Sequence, residues 1–183
     1  ARQPTVRDLM LHTAGFTYGI FGNTEVDQMY RKAGMMGDMD LQEFVAALGK
    51  LPLQYEPGAQ WHYSVSVDIQ GRLVEVLSGM KVSDFLQQRL FGPLDMRDTA
   101  FSVTTEQMPR LAQLYKPEGM TGNNFMAPST GSGLEIADAW ISAGFVQPPK
   151  FESGGGGLVS TARDYLRFSQ MMLNGGELDG VRI

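Results

Sequence analysis

The chain has 183 residues, 43% hydrophobic and 19% charged, enough for a globular domain with its own core and too apolar for a disordered segment. A net charge of -5 with no Lys/Arg run excludes the basic footprint of a nucleic-acid or anionic-membrane binder, and no apolar stretch reaches the roughly 18 residues of a membrane span. With no cysteine in the chain, disulfides, thiolate metal sites and a cysteine nucleophile are excluded too.

In chain order, Thr5 to Thr13 reads as a short helix. Thr5 and Asp8 stand at capping-box spacing, Leu9 and Met10 supply apolar contacts, and Gly15 is placed for a left-handed exit. His12, close to the end of that helix, is expected to meet its last carbonyls, a favourable place for an imidazolium. The loop "GFTYGIFGN" follows, rich in aromatics and glycine. Glu25 to Ala33 is a second helix, broken by "GMMGDMD". Asp40 caps a third through Leu41, Phe44, Val45 and Leu48, ending before Pro52, and Pro57-Gly58 marks a turn. Val65, Ile69, Leu73, Val76 and Leu77 then recur on one face of a helix of about four turns, which Gly79 stops. Val82 to Phe91 is a further helix, closed by Gly92-Pro93. Residues 98–157 lack helical periodicity and read as loops with a few short strands, long enough to suggest a binding surface. Gly154 to Gly157 let backbone pass close to other backbone or to a ligand, and Ser160 and Thr161 cap a last helix carrying Ala162, Tyr165, Leu166, Met172 and Leu173. The whole is mostly helical with a loop-rich centre and few strands.

The chemistry-bearing patterns narrow quickly. The two histidines, His12 and His62, have no second ligand at helical spacing, so no metal site and no cofactor is expected. No G-x-S-x-G is present, and the glycine tract lacks the Lys-Ser/Thr of a phosphate-binding loop. Ser78 and Lys81 match S-x-x-K, but Gly79 between them should end the helix that such a pair needs, so the match reads as a turn. Tyr63, in "QWHYSVSVDIQ", stands just before a helix N-terminus. Unpaired N–H groups and the positive dipole end there stabilise an anion, which suits a phenol to proton transfer. The alternative for Tyr63 is a packing aromatic with a satisfied hydroxyl.

Four segments in order, "PTVRDLMLHTAGF", "YEPGAQWHYSVSVDIQGRLVEVLSG", "LFGPLDMRDTAF" and "GGGGLVSTARDYLRFSQMMLNGGELDGVRI", resemble the serine β-lactamase-like superfamily, closest to family VIII carboxylesterases. The resemblance implies an α/β fold of the β-lactamase/transpeptidase type, of which this segment supplies mostly the helical part. It implies a Ser-Lys-Tyr acyl-enzyme mechanism on a small-molecule ester, with Tyr63 as the tyrosine. Val65 then occupies the place of the asparagine in Y-x-N and offers a lactam amide no partner, which favours ester over β-lactam. Asp68 matches an acid of the esterases' pattern, or is a first-turn carboxylate stabilising its helix. Phe16, Tyr18, Phe21 and Trp61 are expected to wall the pocket. The sequence opens "ARQPTVRDLM" without Met and stops on "GGELDGVRI" at the start of a strand, so the chain is expected to be a piece of a longer domain. The S-x-x-K would lie upstream and the last strand motif downstream, the piece alone would be inactive, and the rest of the domain or another chain would cover its exposed faces. A β-lactamase, a D-Ala-D-Ala carboxypeptidase or a non-catalytic binding module of the same fold are the alternatives.

Overall fold

The first three helices begin on reciprocal caps. The computed structural model describes residues 2–35, 38–119, 131–137 and 145–183. In it, α1 (Val6–Met10), α2 (Glu25–Lys32) and α3 (Leu41–Leu48) start from Thr5, Thr24 and Asp40. Each cap side chain accepts the N–H of the third helical residue, whose own carboxylate accepts the cap N–H in return. α1 is shorter than its sequence suggests, because the left-handed backbone comes at His12 (φ 53), before Gly15 (φ 90). Residues 36 and 37 of the break before α3 lie outside the described residues.

α4 (Ser66–Ser78) is the long helix foreseen, and Gly79 ends it as a left-handed C-cap at φ 70. The expected single helix over 82–91 is instead α5 (Val82–Leu86) widening into a π-turn over Gln87–Phe91, where the Gly92 N–H donates to the Gln87 carbonyl at 2.8 Å.

Residues 101–149 form a compact unit of their own. That unit holds a 3-10 turn (Met108–Arg110) and an antiparallel pair, β1 (Tyr115–Pro117) with β2 (Leu134–Ile136), in which Tyr115 faces Ile136 and Pro117 faces Leu134. Loops and short strands are thus what the described part of the 98–157 region contains; residues 120–130 and 138–144 lie outside it.

The other unit, residues 1–100 and 150–183, is built on two apolar clusters. Tyr30, Met35, Phe44, Leu48 and Val65 join α2, α3 and the start of α4, with Ile69 and Phe151 packed against them. Phe91, Leu94, Met96 and Met171 tie the π-turn to α6 (Ala162–Leu173). Past α6, β3 (Glu177–Leu178) pairs antiparallel with β4 (Val181–Arg182) across Asp179-Gly180, both at positive φ (51 and 78) as a two-residue hairpin requires.

The face that α6 buries is not the one its apolar residues suggest. Tyr165, Leu166, Met172 and Leu173 are exposed, while Asp164 and Met171 point in. The buried Asp164 carboxylate decides this, accepting the Asp98 N–H at 2.8 Å and the Thr99 hydroxyl at 2.9 Å. Among the described residues no helix is long and apolar enough to cross a membrane.

Candidate active site

Residues 150–155 lace three helices together and set the floor of the site. Lys150 pairs with Glu43 of α3 at 2.8 Å, and the Phe151 ring meets that of Phe44 edge-on at 5.0 Å. Glu152 accepts both the N–H and the hydroxyl of Ser83 at 2.7 Å, completing the first turn of α5. The Ser153 hydroxyl then donates to Asp68 Oδ1 at 2.6 Å, and the Gly155 N–H reaches the same oxygen at 3.2 Å. A side chain at Gly155 would stand 2.8 Å from the Tyr18 hydroxyl and 3.4 Å from each Asp68 carboxylate oxygen, closer than real Cβ atoms approach a hydroxyl of a fixed ring. Glycine there lets three groups converge.

A second loop brings aromatics in from the other side. The Thr17 hydroxyl donates to Asp27 Oδ1 at 2.7 Å, and Arg31 donates to the Gly19 and Gly22 carbonyls and to Asn23 Oδ1. Burial opposes ionisation of Asp27, but hydrogen bonds from Thr17 and Thr24 and the field of Arg31 outweigh it and hold its carboxyl below the usual range. The loop so held presents Tyr18 and Phe21, whose rings meet edge-on with centroids 5.6 Å apart.

Tyr63 stands where these parts meet. It lies just ahead of α4 and is 43% exposed. Its ring centroid is 5.1 Å from Tyr18, 5.1 Å from His12 and 5.8 Å from Phe21, and Trp61 lies nearly parallel to it at 6.4 Å. Burial, the Asp68 carboxylate and Tyr63 together push the Tyr18 phenol far above its usual range. Tyr18 therefore stays neutral.

The structure brings together Tyr63, Tyr18, Phe21 and Trp61 of the expected set. It packs Val65 and Phe16 on the core and sets Asp68 beneath Tyr18 in the floor of the site. Val65, expected to face substrate, is 1% exposed and sits in the Phe44 cluster. The chain turns into α4 at that residue (φ -64, ψ 15), which aims its side chain inward. Phe16 packs on the same cluster and lines an apolar cleft of about 290 Å³ with Pro4, Val6, Val45, Ile69 and Leu73. Asp68 is 3% exposed and faces the Ser153–Gly155 loop, beneath Tyr18. His12 meets α1 only through its backbone N–H, which donates to the Leu9 carbonyl at 3.3 Å; its ring turns to Tyr63. Ser78 ends α4 and accepts the Met80 N–H at 3.1 Å, while Lys81 precedes α5, so the two do not share a helical face. Among the described residues no three His, Asp or Glu side chains gather as a metal site would need.

The fold is of the β-lactamase/transpeptidase type. The sequence profile of the Beta-lactamase family matches residues 1–181, and the chain belongs to that family. It is 32% identical over 180 residues to an uncharacterized protein of Mycobacterium tuberculosis, covering 97% of this chain and 41% of that one. It is 28% identical over 171 residues to Esterase EstB of Burkholderia gladioli, covering 89% and 43%. Among solved structures it superposes on EstCE1, described as a hydrolase with promiscuous acyltransferase activity, with TM-score 0.74, 23% identity and coverage of 98% of this chain and 48% of that one. The chain thus spans less than half the length of these relatives.

Proposed function

We propose that this chain carries the proton-relay tyrosine and one pocket wall of a serine carboxylesterase of the family VIII type, whose S-x-x-K helix and last strands belong to sequence outside these residues. The observation that carries the reading is Tyr63, half-exposed ahead of α4 and ringed by His12, Tyr18, Phe21 and Trp61. A phenol open to substrate at that place can take a proton from one oxygen and return it to another. In the proposed reaction a serine oxygen bonds to the ester carbonyl carbon and gives its proton to the Tyr63–lysine pair. The C–O bond to the alcohol then breaks, and that proton passes to the departing oxygen. Water repeats the sequence on the acyl-enzyme.

Trp61 and Phe21 are exposed beside Tyr63 and offer flat apolar surface to a short acyl or aryl group. Val65 places no amide at the third position of the Tyr-Ser-Val motif and is turned into the core, so a lactam finds no partner there. A lost contact of that kind costs about 1–3 kcal/mol, roughly five- to 150-fold in rate constant. Assay of the full-length protein with p-nitrophenyl acetate or butyrate and with a chromogenic cephalosporin tests the reading. Ester kcat/KM should exceed that for the cephalosporin by at least about fivefold; equal or faster cephalosporin turnover contradicts it.

A further inference from the structure

One residue far from Tyr63 in sequence grips the segment on both sides of it. The His12 carbonyl accepts the His62 N–H at 2.8 Å. Its Nδ1 accepts the Ser64 N–H at 3.3 Å and lies 3.4 Å from the Ser64 hydroxyl, which in turn bonds the Ser66 hydroxyl at 2.8 Å. Between those two anchors the imidazole lies against the Tyr63 ring at 5.1 Å, with Trp61 edge-on to it at 6.2 Å.

His12 reaches this position only through left-handed backbone, φ 53, which costs a residue with a Cβ about 1–2 kcal/mol and is uncommon outside glycine, although His, like Asn and Asp, is enriched there. Such strain persists where surrounding contacts over-determine it. Here those contacts converge on residues 62 to 64.

We infer that His12 is the positioning residue of Tyr63, fixing the phenol's orientation through the amides that flank it. The inference rests on the reading of Tyr63 as the proton relay. It requires a neutral imidazole with the proton on Nε2, since only a bare Nδ1 can accept the Ser64 N–H.

Two substitutions separate ring from backbone. His12→Gly keeps the left-handed turn and removes the imidazole; His12→Asn tolerates the turn and returns an acceptor oxygen near the place of Nδ1. Side-chain 15N spectra of the wild-type chain should show His12 protonated on Nε2 alone at pH 8. Exchange of the Ser64 amide should quicken at least about tenfold in His12→Gly and stay within about threefold of wild type in His12→Asn. In the full-length protein, ester kcat should fall at least about tenfold in His12→Gly with KM nearly unchanged, and His12→Asn should recover most of it. A proton on Nδ1, a Ser64 amide equally protected in His12→Gly, or unchanged kcat in an active His12→Gly enzyme overturns the inference. If the wild-type enzyme turns over no ester, the esterase reading fails, and amide exchange still decides the His12 contact.

Discussion

Asp68 shows how much of this site rests on a single buried side chain. Its carboxylate accepts from Ser153 and Gly155 and holds up the ionisation of Tyr18, which lies against the same glycine. Asp68→Asn should therefore lower the titration of Tyr18, followed by 13C NMR of its ring, because one of the groups opposing the phenolate loses its charge. The midpoint should stay above about 10, the ordinary phenol value, since burial remains. At Val65 an asparagine would bury an amide in the Phe44 cluster and should cost about 1–3 kcal/mol by urea denaturation. Tyr63 and Trp61 were legible in the sequence because they lie two residues apart, ahead of a helix with a clear apolar stripe. His12 was not legible, for its partner Ser64 is 52 positions away and no local pattern marks the pair. Val65 was misplaced because its orientation depends on where α4 begins, a boundary that periodicity fixes only to within a residue or two.

Caps were the most readable elements and core faces the least. The Thr5–Asp8 box and the Asp40 cap are local chemistry and both form as read; Thr24–Asp27, which the sequence reading did not single out, forms the same kind of box. The α1 cap carries a pH signature. The Arg2 guanidinium and then Thr5 hold the Asp8 carboxyl far below the usual carboxylate range. A carboxyl depressed in the fold binds fewer protons there than in the unfolded chain, so its stabilisation is complete above about pH 4 and is lost as pH falls below that. Asp8→Asn should flatten the acid limb of a denaturation-versus-pH profile and lower the plateau above it. Phe44, buried against Phe151, couples α3 to the loop beneath Tyr18. Phe44→Ala should destabilise the protein by about 3–5 kcal/mol in chemical denaturation. The buried face of α6 escaped the sequence because tertiary hydrogen bonds to Asp164, from Asp98 and Thr99, outvote the apolar count. The π-turn at Gln87–Phe91 escaped because its apolar spacing still satisfies a helical pattern.

Over the whole molecule, the Beta-lactamase family assignment was legible because four segments kept their order from Pro4 to Ile183. Large apolar side chains stand out from several helices, Leu77 at 78% and Leu173 at 81% among them. The relatives are more than twice as long as the stretch they share with this chain, and we propose that further chain covers these faces. On that proposal the isolated 183-residue chain should bind the apolar dye ANS strongly and the full-length protein weakly; equal weak binding would speak against it. The esterase reading itself depends on a phenol that moves protons and does not merely pack. Its most direct test is ester turnover by the full-length protein carrying Tyr63→Phe, which keeps the ring and deletes only the hydroxyl. Loss of general acid–base help predicts a fall in kcat of about 10²–10⁴ with the thermal melt unchanged, whereas turnover within a few-fold of wild type would contradict a catalytic Tyr63.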